Sequence, residues 1–304
     1  MKLGFLTAPF PETPLLDVAD WAAAAGFGVL EIACWPRGGG DTRRYAGTSH
    51  IDVANLSNGQ AGEIVGQLAA KGLSISGLGY YPNPLNADPA HRAQVIGHLK
   101  AVIVAAEKMG VPLVNTFMGA DQAMNQDQNW EEALRVWPDI VAFAKDHGRK
   151  ITLENCPMIF SNDEWPGGRN IATTPRMWRR ILEQWGDTIG LNFDPSHLIL
   201  QMIDMRRFLK EFGPHVLHFQ AKDLMIDRDG LYERGVFSLG MGWQVPRVPG
   251  LGEVDWSVVF SELYRQGYEG DCIIEHEDRR FEGTDEKVKQ GFLIARDVLR
   301  PYCH

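Results

Sequence analysis

A chain of 304 residues, 44% hydrophobic and 23% charged, has the composition of an ordinary globular protein with a sizeable core, enough for one large α/β domain or two small ones. Its net charge of −9 argues against a nucleic-acid partner, which needs a basic stripe, and no apolar run approaches the length that spans a bilayer. Cys34, Cys156, Cys272 and Cys303 lack tight spacing, so neither a disulfide frame nor a zinc site is suggested, and a cytoplasmic location is expected.

The first strand is expected from Leu3 to Thr7, in a start too short and unflanked for a signal peptide. A helix follows through Leu15, Leu16, Val18 and Trp21, closed by Gly26. The second strand, Gly28 to Cys34, places Glu31 among apolar neighbours. A glycine-rich loop from Arg37 to Ser57 carries Gly38, Gly39, Gly40, Tyr45 and His50. A helix through Ile64 and Leu68 ends at Gly72, before a third strand from Leu73 to Tyr80. Asp88 with Pro89 behind it signals a helix start, Gly110 its end, and the fourth strand is Val111 to Met118. The next helix, from about Trp130 to His147, contains Pro138, which predicts a kink or break near Trp137.

The fifth strand ends at Glu154, and Thr174-Pro175 opens another helix with Met177, Ile181 and Trp185 on its buried face. The sixth strand, Ile189 onward, ends in Asp194 because Pro195 cannot donate to a ladder. A short helix around Arg206–Phe212 leads to the seventh strand, Val216 to Lys222. A long loop, Leu224 to Val254, is rich in glycine and proline and is expected to cover the mouth. Asp255 caps a helix with Trp256, Val259, Phe260 and Leu263 at helical spacing, ended by Gly267. Cys272–Glu275 is the eighth strand and Thr284–Leu299 the last helix. Eight strand-then-helix units without a strand–strand hairpin predict a (β/α)8 TIM barrel forming a single domain over residues 1–304. A doubly wound sheet would carry a glycine-rich turn after its first strand, where this chain has Ala8-Pro9-Phe10-Pro11. The long loops follow strands, which marks the C-terminal face as the working one.

Three apolar strands deliver an acid at that face: Glu154, Asp194 and Glu275. Any one of them alone would ordinarily be a cap or a salt-bridge partner. Together they repel, and a divalent ion of the Mn²⁺, Mg²⁺ or Co²⁺ kind relieves this through hard oxygen ligands. Alternation in His218-Phe219-Gln220-Ala221-Lys222 puts His218, Gln220 and Lys222 on one face.

The order Leu153-Glu154-Asn155, Asp194-Pro-Ser-His197, Lys222-Asp223, Val248-Pro-Gly-Leu-Gly-Glu-Val-Asp-Trp256 and Ile273-Ile-Glu-His-Glu-Asp278 resembles the xylose isomerase-like barrels grouped as sugar phosphate isomerases/epimerases. The resemblance implies one divalent metal, usually Mn²⁺, with Mg²⁺ or Co²⁺ as alternatives. It implies Glu154, Asp194 and Glu275 as ligands. The seventh-strand motif of relatives is His-x-His-x-Lys-Asp, whose second His is the ligand; Gln220 stands there, and is expected as the fourth metal contact, with His218 one layer deeper. The resemblance also implies Glu154 and Glu275 as the proton-transfer pair, with His197 close to metal and substrate. Lys222, His218 and Arg247 are candidates for holding sugar oxygens or a phosphate, with His50, Trp35 and Tyr80 around the sugar; Tyr81 and Phe117 are further stacking candidates. Arg247 and Lys222 have a bland alternative, salt bridges to Asp255 or Glu253.

The implied activity is a metal-dependent sugar isomerase or epimerase. The same site serves a lyase on 3-keto-glycosides if the enolate expels a β-substituent, and a sugar-binding barrel that has lost its metal is a third reading. The expected partner is a small carbohydrate, with no nucleic acid or membrane; relatives are often dimers or tetramers.

Overall fold

A computed structural model describes residues 1–37, 46–159, 168–238 and 242–303. Eight parallel strands close into a barrel: β1 (Leu3–Leu6), β2 (Val29–Ala33), β3 (Ser74–Gly79), β4 (Leu113–Thr116), β5 (Lys150–Glu154), β6 (Ile189–Phe193), β7 (Val216–Ala221) and, after a hairpin of β8 (Asp223–Ile226) with β9 (Gln244–Arg247), β10 (Cys272–Ile274). β10 sits between β7 and β1 and closes the ring, so the expected TIM barrel is the fold. Helices α1 (Leu15–Ala24), α2 (Asn58–Ala70), α3 (Pro89–Lys108), α4 (Gln126–Asp146), α5 (Pro175–Trp185), α6 (Pro195–Leu200), α7 (Met205–Phe212), α8 (Arg228–Arg234), α9 (Trp256–Arg265) and α10 (Asp285–Leu299) follow in chain order.

The cap signals are used as expected. Asp88 Oδ1 accepts from the Ala90 amide at 2.9 Å, with Pro89 as the first residue of α3, and Asp255 Oδ1 accepts from the Val258 amide at 3.1 Å. Two expectations are corrected. α4 runs unbroken through Pro138 and starts at Gln126, where Asn125 and Gln128 form a capping box. Pro138 lies on the exposed side, while buried Trp137 and Ile140 hold the helix to the barrel. The stretch after Lys222 is no plain loop: β8 and β9 pair antiparallel, Asp223 opposite Arg247 and Ile226 opposite Gln244, with α8 between them. The hairpin buries Leu224, Ile226 and Trp243 as a small core of its own. Gly38–Gly40, Tyr45 and Gly240 lie outside the described residues.

Strand alternation sorts the side chains into two layers. Phe193 faces outward and stacks on Phe208 and Phe219, at 5.0 and 5.5 Å between ring centroids. The inward layer is polar: Glu31, Asn115, Thr152, Asn192, His218 and Gln220 are all buried. Gly79 makes room for this layer, since a Cβ there would meet Glu31 Oε1 at 2.7 Å.

Candidate active site

β5, β6, β7 and β10 are neighbours in the barrel, so Glu154, Asp194, Lys222 and Glu275 emerge along one arc of the C-terminal rim. One oxygen from each of Glu154, Asp194 and Glu275 lies within 4.8 Å of the others. Asn155 locks two of these strand ends together: its Nδ2 donates to the Asp194 carbonyl at 2.8 Å and its Oδ1 accepts from the Asp194 amide at 2.7 Å. Asp194 caps α6 through Oδ1, which accepts from the Ser196 amide at 2.8 Å, leaving Oδ2 for the site. That short helix carries His197 on its first turn and brings its Nε2 to 3.2 Å from Glu154 Oε1 and 3.1 Å from Asp194 Oδ2.

Lys222 is the cation at the centre. Its Nζ lies 2.9 Å from Asp194 Oδ2, 2.9 Å from Glu275 Oε2 and 3.3 Å from Glu277 Oε2, with its side chain only 3% exposed. Burial alone would discharge the ammonium, but the surrounding carboxylates outweigh burial and hold its pKa well above the usual lysine value. Burial also raises Asp194, yet Lys222 and His197 pull harder and keep it below the ordinary carboxylate range. Glu154 and Glu275 go the other way: burial, with their acidic neighbours, pushes both well above that range, and Lys222 only partly opposes it. Burial works against charge on His197 too, as does Lys222, but Cys156 in its thiolate form and Asp194 more than compensate and bring it up to about 10.

A cavity of about 80 Å³ opens here, walled by Trp35, Tyr81 and Phe117 with Glu154, Glu275 and Glu277 among its polar lining. A larger one, about 560 Å³, lies beside it between the loops after β4 and β5 and the Trp243 end of the hairpin. Asp121 is its one acid among the described residues, whereas the smaller cavity is lined by Glu154, Glu275 and Glu277.

Beneath the carboxylates runs a closed polar network. Gln220 Nε2 donates to Glu31 Oε2 at 2.9 Å and to the Tyr81 hydroxyl at 2.8 Å, while its Oε1 accepts from Asn192 Nδ2 at 2.8 Å. Tyr81 donates to Glu31, and Asn115 Nδ2 donates to Glu31 Oε1 at 2.9 Å. His218 sits in the same ring, its Nδ1 at 2.9 Å from Asn192 Oδ1 and its Nε2 at 3.1 Å from Ser76. The Gln220 oxygen, expected to meet a metal, has Asn192 as its protein partner.

Glu154, Asp194, Lys222, Glu275, His197 and Trp35 are brought together; His50, Tyr80, His218 and Arg247 are placed elsewhere. His50 ties the first loop, with Nδ1 at 2.9 Å from Thr7 and Nε2 at 3.1 Å from the Phe10 and Thr13 carbonyls. Tyr80 packs edge-on against His98 of α3 at 4.7 Å, and alternation turns Tyr81 inward in its stead. Arg247 pairs with Asp278 at 3.1 Å rather than with Asp255 or Glu253. Glu31, Glu277 and Asn155 were missed as site residues. A charged residue inside an apolar strand, and the second acid of Glu275-His-Glu277, were the available signals.

The donor chemistry fits a divalent ion. Four carboxylates crowd one ammonium and one imidazole, and two of those carboxyls are forced above their usual range for want of positive charge. Hard oxygens clustered this closely suit such an ion.

Fold and site define a (β/α)8 barrel with an acidic cluster at its C-terminal rim. The chain belongs to the xylose isomerase-like TIM barrel family, whose model matches residues 19–300. It is 26% identical over 311 residues to the uncharacterized protein YfiH of Bacillus subtilis (strain 168), covering 91% of this chain and 93% of that one. It is 28% identical over 141 residues to inosose dehydratase of Geobacillus thermodenitrificans (strain NG80-2), covering 45% of each. Its fold matches that of D-psicose 3-epimerase from Clostridium cellulolyticum H10, solved with D-tagatose, at a TM-score of 0.71 and 17% identity over 99% of both chains. Among the described residues no helix is long and apolar enough to cross a membrane.

Proposed function

We propose that this protein is a divalent-metal-dependent isomerase or epimerase of a small carbohydrate. The observation that carries the reading is the pair Glu154 and Glu275, held on either side of Asp194 and Lys222 in one cavity. Glu154, Asp194 and Glu275 would hold the ion, Mn²⁺ in the first place. When bound, it supplies Lewis acidity that polarises a sugar carbonyl and acidifies the neighbouring C–H. Gln220 Oε1 accepts one hydrogen bond, from Asn192, and keeps a second lone pair that could meet the ion.

One of the two glutamates removes the proton, and burial, which raises both, makes each a stronger base than an exposed carboxylate. Return of a proton to the opposite face of the same carbon gives the epimer, and return to the adjacent carbon gives the isomer. Lys222 keeps a positive charge beside the reacting oxygens, and Trp35, Tyr81 and Phe117 present apolar faces to the ring. The likeness to inosose dehydratase favours a second reading, elimination, in which His197 gives its proton to a departing β-substituent.

The test is solvent exchange at carbon. Glu275→Gln should keep the fold and stop deuterium wash-in from heavy water into free sugars or 3-keto-glycosides, because an amide is no base. Undiminished wash-in would remove Glu275 from the proton path. Appearance of an eliminated product in the wild type would select the second reading.

A further inference from the structure

We propose that Cys156, His197 and Glu154 form a second cation site, softer than the three-carboxylate site and sharing Glu154 with it. The proposal rests on the reading of Glu154, Asp194 and Glu275 as ligands for a hard ion. A sulfur, a ring nitrogen and a carboxylate oxygen from these residues all lie within 4.8 Å of one another. Sulfur, nitrogen and oxygen together are a donor set for Zn²⁺ or Co²⁺, whereas three oxygens suit Mn²⁺ or Mg²⁺.

The second observation is the contact between the two softer donors. His197 is 7% exposed, its Nε2 is shared between Glu154 and Asp194, and its ring also meets the Cys156 side chain. Sulfur and ring nitrogen are thus already brought together, buried, beside the Glu154 carboxylate. The sulfur is held in place independently. Asn170 Nδ2 donates to the carbonyls of Glu154 and Cys156 at 3.0 and 2.8 Å, and the Met158 amide donates to Cys156 Sγ at 3.3 Å. Two residues apart in extended chain, Glu154 and Cys156 point the same way, and both line the small cavity. An ion therefore reaches them from the mouth. On binding, the thiol loses its proton to solvent and the imidazole keeps only one, so thiolate, carboxylate and neutral ring face the cation. No spacing in the chain announces this set, because Cys156 and His197 belong to different strand-to-helix units.

The test is titration of metal-free full-length protein with Co²⁺. Wild type should take two equivalents, the second bringing a thiolate-to-cobalt charge-transfer band in the near ultraviolet. Cys156→Ser and Cys156→Ala should keep the first equivalent and lose the band; Cys303→Ser, which removes another thiol with some exposure, should keep both. Zn²⁺ should abolish the band at stoichiometric amounts, and Mn²⁺ should not. One equivalent without a band, or a band that survives loss of Cys156, overturns the second site and leaves the carboxylate site standing. A Cys156-dependent band that persists in Glu275→Gln after the other equivalent is lost upholds it, whatever becomes of the sugar chemistry.

Discussion

Replacing Lys222 by Met removes the ammonium from the centre of the site while keeping most of the aliphatic stem. Lys222 is 2% exposed, and its Nζ stands 2.9 Å from both Asp194 and Glu275 and 3.3 Å from Glu277. Taking one partner from a buried ion pair ordinarily costs about 3–5 kcal/mol, because the remaining charge is stranded. The lower end is expected here, since the stranded carboxyls can take up a proton. Glu154 and Glu275, already raised by burial, lose the ammonium that opposes the rise, and a raised group gives stability that is lost as pH increases; the deficit should therefore grow from pH 5 to pH 8. Urea unfolding in the presence of a chelator measures it. Mn²⁺ replaces the missing charge, so it should stabilise the variant by about 2.7 kcal/mol at a hundredfold excess over the variant's Kd, and the wild type by less at the same concentration. A variant within about 1 kcal/mol of wild type under chelation would refute the reasoning, given that removal of a paired buried charge must cost more. So would Mn²⁺ favouring the wild type.

Gln220→Ala should cost about 1–3 kcal/mol, for it strands Asn192 and takes a donor from Glu31, yet calorimetric Mn²⁺ affinity should stay close to wild type; loss of the ion would make Gln220 a ligand. His197 is raised from 6.5 to about 10, so its contribution is complete below about pH 6.5 and lost as pH climbs through about 10. Chelated His197→Gln should accordingly show a shallower fall in stability over that window than wild type, as read by thermal melts. Gly252→Ala should destabilise by about 1–3 kcal/mol, since its Cβ would fall 2.2 Å from Asp223 Oδ1. Asp223 there accepts amides from Gly250 and Val254 at 3.0 and 2.9 Å, and a melting temperature equal to wild type would show that the loop yields freely.

Periodicity and punctuation were enough to read the barrel. Each strand is a short apolar run bounded by glycine or proline, and caps such as Asp88 and Asp255 are local chemistry that adjacent residues complete by themselves. The acids at the ends of β5, β6 and β10 were legible for the same reason: an apolar strand that stops on a carboxylate advertises its end. What surrounds them was not legible. Which side chains Gln220 meets, and whether Tyr80 or Tyr81 turns inward, depends on how strands distant in the chain meet across the barrel axis. The hairpin β8–β9 escaped because Pro246 and the crowded glycines read as loop, while its pairing is decided by burial of Leu224, Ile226 and Trp243 against α6. Pro138 misled for the opposite reason: a local rule against proline yields when the helix face it spoils is the solvated one. The sequence by itself determined which elements form and which strands end in acid, since those are short-range preferences. Only the tertiary structure decided that Lys222 sits among Asp194, Glu275 and Glu277, because which charges share a buried space depends on barrel closure.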